Sequence, residues 1–258
     1  MLIDSHVHLD DRRFNKDRDQ LINNLEKDGV ELVVNIGSDL KTSEASVDLA
    51  DKYEPVYAVV GVHPHSASEY DDKVEARLRE LANHKKVVAI GEIGLDYYRD
   101  LSPRDVQVDV FKRQLDLAKD LDMPIVIHSR DASQPVFDII KEFKENNPDM
   151  DILIHCYSDS VELMREYIKI GCYIALGGTT TFKNSRVPKE VAKQVPLERL
   201  LLETDSPYLT PEPMRGKRNE PKYVDYVADM IADLRGIKKD EVVLQTAFNA
   251  RKFYRIAY

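Results

Sequence analysis

Ile3-Asp4-Ser5-His6-Val7-His8-Leu9-Asp10 opens the chain as a short apolar strand with two imidazoles at its end. Side chains alternate faces along a strand, so Asp4, His6 and His8 are expected on one side. Paired neutral imidazoles suit a metal ion, but a lone His-x-His suits a solvated terminus as well. The rest of the chain decides between these readings, because the same unit, an apolar run that ends in His or an acid, keeps returning.

Further strands are expected at 32–36, 56–62, 87–92, 124–128, 152–155, 173–176 and 200–203. Their ends meet Gly37, His63-Pro64, Glu92, His128, His155, Gly177-Gly178 and Glu203 in turn. Amphipathic segments lie between them. Helices are expected at 15–27, 42–53 and 74–81, then from Ser102, which reads as an N-cap with Pro103 at the first helical position. Val108, Phe111, Leu115 and Ala118 continue that helix at helical spacing. Asp131 with Gln134 reads as the next start, and Asp159 with Glu162 as a capping box for a helix to Ile170. A short helix from Pro188 and two last helices at 222–234 and 240–254 complete the pattern. After Glu92, a loop is expected to hold Gly94, Asp96, Tyr97 and Tyr98.

Eight short apolar strands separated by helices point to α/β architecture, with both faces of the sheet covered. The 258 residues match the roughly 250 of a (β/α)8 TIM barrel, so one barrel domain over 1–258 is expected. An open doubly wound sheet is the other possibility, but no G-x-G-x-x-G or P-loop follows an early strand. The net charge of −9 provides no overall positive field for nucleic acid, although metal ions and a local basic loop would supply one. Cys156 and Cys172 show neither zinc-site nor disulfide spacing and read as free thiols of a cytoplasmic protein. No apolar run reaches membrane-spanning length.

In a parallel barrel the carboxyl ends of all strands meet at one face, which carries the active site. That face would gather His6, His8, His63, His65, His128 and His155 with Glu92 and Asp205, and leave His84 on the surface. Each residue alone also fits an ordinary turn or loop end, but chance does not repeat them at the same end of successive strands. The set is too large for one ion with open positions. Two divalent ions about 3.5–4 Å apart fit better. Glu92 would lie between them, with His6, His8 and Asp205 at one ion and His128 and His155 at the other. A water or hydroxide between the ions would be the nucleophile, and Asp205 would orient it and take its proton. The mixed donors suit Zn²⁺, Mn²⁺ or Co²⁺, and Mg²⁺ where one site is water-rich.

The chain resembles the TatD-type metal-dependent hydrolases of the amidohydrolase barrel superfamily. The resemblance runs end to end through Asp4-Ser-His-Val-His-Leu-Asp10, Gly61-Val-His-Pro64, Gly91-Glu-Ile-Gly-Leu-Asp-Tyr97, Pro124-Ile-Val-Ile-His-Ser-Arg130, Ile154-His-Cys-Tyr-Ser158, Leu202-Glu-Thr-Asp-Ser-Pro-Tyr208 and Arg215-Gly-Lys-Arg-Asn-Glu-Pro221. It implies that His6, His8, Glu92, His128, His155 and Asp205 are metal ligands, with Glu92 bridging where many superfamily relatives use a carboxylated lysine. It also implies deoxyribonuclease activity on DNA ends or single strands. Asp159 stands where the family usually carries Gly and would place a negative charge near the site.

For such a substrate, Arg130 and the loop residues Arg215, Lys217 and Arg218 would hold the phosphodiester. Tyr97, Tyr98 and Tyr208 would stack on a base or pack on a sugar; ordinary packing at the barrel rim is their plain alternative, and the favoured one for Tyr97. Glu212 and Glu220 partly offset that basic loop, so a solvated charge run is its plain alternative. His63 would contact the scissile phosphate, supply a proton, or support a ligand. Two other functions remain open on sequence: an amide or ester hydrolase acting on a small carbonyl substrate or aminoacylated tRNA, and a barrel that binds nucleic acid or protein without catalysis.

Overall fold

The computed structural model describes residues 1–257; the last residue of the expected domain lies outside them. Eight strands form one sheet in sequence order: β1 (Leu2–Val7), β2 (Val30–Ile36), β3 (Val56–Val60), β4 (Val87–Asp96), β5 (Ile125–Arg130), β6 (Ile152–Ile154), β7 (Tyr173–Leu176) and β8 (Leu200–Leu202). All seven neighbouring pairs are parallel. A parallel bridge between Val7 and Ser206 joins the two ends of the sheet, so the fold is the expected (β/α)8 barrel. At that seam Asp205 N–H donates to His6 O (2.9 Å) and His8 N–H donates to Ser206 O (2.8 Å). The Ser5 hydroxyl adds a bond to Leu202 O (2.8 Å).

Nine α-helices lie among the described residues: α1 (Arg18–Asn23), α2 (Leu40–Lys52), α3 (Asp72–Leu81), α4 (Arg104–Asp120), α5 (Ser133–Asn146), α6 (Val161–Lys169), α7 (Arg186–Gln194), α8 (Val224–Arg235) and α9 (Lys239–Tyr254). The larger apolar core packs the helices onto the outside of the strands. A second core fills the barrel with Val34, Val59, Val126, Leu153 and Leu201, and joins Phe253 and Tyr254 of α9. Ile3, Val88 and Tyr173, at the first or second position of their strands, belong to the same core. Thus α9 seals the amino-terminal end of the barrel and leaves the other end as a mouth.

Local chemistry moves several expected boundaries. The helix expected at 15–27 is a 3-10 turn at Arg12–Phe14, the short α1, and further turns to Gly29. Arg18 breaks it up by drawing in the loop after β1, donating to the carbonyls of Leu9 and Asp10 and to the Asn15 side chain. Pro103, not Ser102, occupies the N-cap of α4; the Ser102 hydroxyl instead donates to His65 O and accepts from Ser68 N–H. α5 starts at Ser133, because Asp131 adopts φ 52° and cannot continue a right-handed turn. Ser160 caps α6, accepting from Leu163 N–H, while Asp159 accepts from the Ser133 hydroxyl (2.5 Å).

The most consequential difference is in β4. It runs on past Glu92 through Asp96, buried over its full length, so Gly94 and Asp96 are strand residues and not part of a loop. Its ladder with β5 shifts register between Ile90 and Ile93, and an irregularity of this kind re-aims side chains beside it. Gly94 makes the continuation possible: at φ 144°, a Cβ there would lie 1.9 Å from His128 O.

Candidate metal centre

Glu92 lies in the middle of the mouth, almost completely buried, and its two oxygens face different partners. Oε1 meets His128 Nδ1 at 2.8 Å, His155 Nε2 at 3.5 Å and His63 Nε2 at 3.9 Å. Oε2 meets His6 Nε2 at 3.6 Å. On that side His6 Nε2 and His8 Nε2 lie 3.3 Å apart, with Asp205 Oδ1 at 3.8 Å from the first and 3.3 Å from the second. The six side chains picked out along the sequence are therefore together, in two groups joined by one carboxylate. His6 and His8 share a side as expected, but Asp4 does not join them. The β1–β2 register breaks between Asp4 and Val7, and the Asp4 carboxylate turns to the backbone N–H and hydroxyl of Thr204.

The outer ring nitrogens are held in a way the sequence did not disclose. His155 Nδ1 lies 2.9 Å from Glu203 Oε2, while Glu203 Oε1 accepts from Cys156 N–H. His128 Nε2 lies 3.1 Å from Asp96 Oδ2, which also meets His65 Nε2 at 2.9 Å. His8 Nδ1 lies 3.0 Å from Ile36 O. Carboxylates and carbonyls only accept, so each outer nitrogen carries the proton and each inner nitrogen presents its lone pair to the centre. His63 is set the other way. Its Nδ1 accepts from His65 N–H (3.1 Å), so Nε2 carries a proton toward the centre and is a donor, not a metal donor atom.

This arrangement asks for positive charge. Three lone pairs aimed at Glu92 and Asp205 repel them unless a proton or a cation intervenes. Without metal, protons take that place. Burial lowers the pKa of His8, but the adjoining Asp205 carboxylate outweighs burial and lifts it to about 9. Burial is likewise outweighed at His155, where Glu203 and Glu92 lift the pKa to about 10. His6 goes the other way, lowered by burial and by the His155 ring stacked on it at 3.6 Å. Burial opposes ionisation of Glu92, but the surrounding imidazoles hold its pKa well below the usual carboxylate value. Divalent cations would replace those protons; the donor atoms of His6, His8 and Asp205 lie within 4.8 Å of one another, and Glu92 Oε1 lies 2.8 Å from His128 and 3.5 Å from His155. The residues therefore fit a metal centre. Asp205 itself sits at φ 56°, a left-handed conformation that its bonds to His6 O and Tyr208 N–H enforce.

The basic residues expected to meet substrate divide. Arg130, Arg215 and Lys217 are exposed. Arg218 is held by Asp17 in a two-pronged ion pair (2.8 and 2.6 Å) and by Glu220 (3.0 Å), over the Phe14 ring. Tyr208 stands at the rim with its ring 6.0 Å from that of His8. Asp159 is half-buried, and its carboxylate accepts from the Ser133 hydroxyl. His84 pairs with Asp51 on the outside (3.4 Å).

The family model described as TatD related DNase matches residues 3–255. The chain is 43% identical to an uncharacterized metal-dependent hydrolase, YabD, of Bacillus subtilis strain 168, covering 99% of this chain and all 100% of that protein. It is 34% identical to the 3'-5' ssDNA/RNA exonuclease TatD of Erwinia billingiae, with 99% of each covered. The crystal structure of YJJV, a TatD homologue from Escherichia coli K12, superposes with a TM-score of 0.92 at 28% identity, covering 99% of this chain and 98% of that one. The chain therefore belongs to the TatD-related DNase family and is a metal-dependent hydrolase acting on ester bonds.

Proposed function

We propose that this protein is a deoxyribonuclease, built as one barrel domain, that cleaves phosphodiester bonds of single-stranded DNA from an end. The observation that carries the proposal is the division of the Glu92 carboxylate, with Oε2 toward His6 and Oε1 toward His128 and His155. Two divalent ions, Zn²⁺, Mn²⁺, Co²⁺ or Mg²⁺, would be held by His6, His8 and Asp205 on one side and His128 and His155 on the other, with Glu92 shared. Such ions supply Lewis acidity and bring the pKa of water toward neutrality.

The chain's own residues do the rest. Asp205 is kept ionised by His8 and takes the proton of the attacking water at its carboxylate. His63 stays neutral, its pKa held far below normal by burial and by the neighbouring His128. Its Nε2–H hydrogen-bonds the phosphoryl oxygen on which charge builds. Arg130, Arg215 and Lys217 balance the remaining phosphate charge. Arg218, held by Asp17 and Glu220, fixes the rim loop against the turn after β1. The nuclease named TatD in Erwinia billingiae supports a nucleic-acid substrate.

The test is hydrolysis of an end-labelled single-stranded oligonucleotide by metal-stripped protein resupplied with Mg²⁺, Mn²⁺ or Zn²⁺. A metal-dependent ladder of shortening products is expected. Absence of cleavage with every metal, alongside turnover of a simple ester or amide, would move the assignment to carbonyl substrates.

A further inference from the structure

Two aromatic rings at the mouth are far more exposed than tyrosines of a packed rim: Tyr98 at 59% and Tyr208 at 46%. Tyr98 follows β4 and Tyr208 follows β8. Strands four places apart in an eight-stranded barrel are opposite one another, so the rings flank the mouth from facing sides. Each ring carries a guanidinium from the end of the next strand or the turn after it. Arg130, at the end of β5, lies 3.9 Å from the Tyr98 ring centre. Arg13, in the turn after β1, lies 4.2 Å from that of Tyr208. The same device, a tyrosine after one strand and an arginine after the next, occurs twice.

Both pairs are braced toward the metal centre. Asp11 holds the Arg13 guanidinium with two bonds (2.9 and 2.8 Å), and the Tyr208 ring meets the edge of His8. On the other side, Asp96 accepts from Tyr98 N–H (3.1 Å) with one oxygen and meets His128 with the other. The Tyr208 ring thus adjoins His8, and the Tyr98 backbone is tied to the carboxylate that meets His128, so the two residues are anchored to opposite halves of the centre.

We infer that Tyr98 with Arg130 and Tyr208 with Arg13 are two stacking platforms for unpaired nucleobases on either side of the scissile phosphate. The inference rests on the nuclease reading above and deepens it. An exposed ring offers a π-face that any base can stack on, and the arginine adds a cation–π contact and a charge for the adjoining phosphate. A base inside a duplex has no free face to offer. The platforms therefore select single strands and frayed ends, without reading base identity.

The test uses metal-loaded protein and a phosphorothioate-linked hexathymidylate carrying one 2-aminopurine, whose fluorescence falls when the base stacks. Wild-type protein is expected to quench it. Tyr98→Ala and Tyr208→Ala are each expected to lose affinity by about fivefold to a hundredfold, the range for one base on one aromatic ring. Tyr98→Phe and Tyr208→Phe keep the ring and are expected to bind within about twofold of wild type. Alanine variants that bind like wild type would overturn the inference, as would phenylalanine variants that lose as much as alanine, or wild-type protein that neither binds nor quenches the probe. Ring-dependent binding without hydrolysis of the all-phosphate oligonucleotide would sink the nuclease reading and leave the platforms. Hydrolysis indifferent to both rings would do the reverse.

Discussion

The two ends of the barrel are built on opposite principles. At the amino-terminal end, Phe253 and Tyr254 of α9 enter the apolar interior beside Ile3, Val88 and Tyr173, and the Tyr254 hydroxyl donates to Ser5 O (2.8 Å). The charges at that end stay at its margin, Arg199 over the Tyr173 ring and Arg251 paired with Glu31, so stability there comes mainly from apolar area removed from water. At the mouth, Glu92, Asp205, Glu203 and Asp96 face imidazoles across a few ångströms, and Asp205 and Cys156 adopt left-handed backbone conformations. That end is expensive to fold and is balanced only when positive charge enters it. The contrast teaches that in this barrel stability and chemistry occupy different ends, and that each can be changed without the other.

That separation can be broken from either side. The largest effect expected is from Glu92→Ala, which removes the carboxylate shared by both groups. Hydrolysis should fall about a thousandfold or more, some 4 kcal/mol of barrier, while the melting temperature stays within a few degrees. Rate assays and a thermal melt of the same preparation check both halves. A protein that lost stability and activity together would show that the mouth is also structural.

From the other end, Phe253→Ala should cost about 3–5 kcal/mol of stability, measured by denaturant unfolding. The folded fraction should retain wild-type kcat. A Phe253→Ala protein that stays folded but is inactive would mean that the sealing helix positions the mouth.

Glu203→Gln and Asp96→Asn sharpen the account within the mouth, because each weakens the hold on an outer imidazole nitrogen without touching the inner one. Each should lower metal affinity or activity by about 10–100-fold, read from activity against added metal, and excess metal should restore part of it. The smallest effect concerns the rim. Arg218→Ala should cost about 1 kcal/mol, as a half-buried ion pair at the rim, and should lower DNA turnover less than Arg215→Ala does. A larger loss with Arg218→Ala would return that side chain to the substrate.

Much of this contrast is written in the chain in a form that simple periodicities reach. Apolar runs such as Ile125-Val126-Ile127 announce buried parallel strands, and a His or acid at the end of several of them announces the mouth. Glu203 and Asp96 escaped notice because their value lies in direction: an acid matters when it approaches the far nitrogen of a ligand-like imidazole, and spacing along a strand does not say which nitrogen it meets. The signal was present in Leu202-Glu-Thr-Asp205, where two acids flank one threonine and only one was weighed. β4 read as shorter than it is because two glycines look like a loop, whereas Gly94 is there so that the strand can pass His128 O. The broken helix after β1 follows from Arg18, whose carbonyl partners Leu9 and Asp10 lie upstream of the segment and leave no periodic trace. Arg218 looked like a phosphate contact because a charge run in sequence does not show which members already have Asp17 or Glu220 opposite them.

The most direct test of the central claim, that this mouth is built around two cations joined by Glu92, is metal stoichiometry by calorimetric titration of stripped protein with Zn²⁺ or Mn²⁺, backed by elemental analysis. Two ions per chain are expected for wild type and at most one for Glu92→Ala. A wild-type protein that saturates at one ion or none, or a Glu92→Ala protein that still binds two with unchanged affinity, would contradict it.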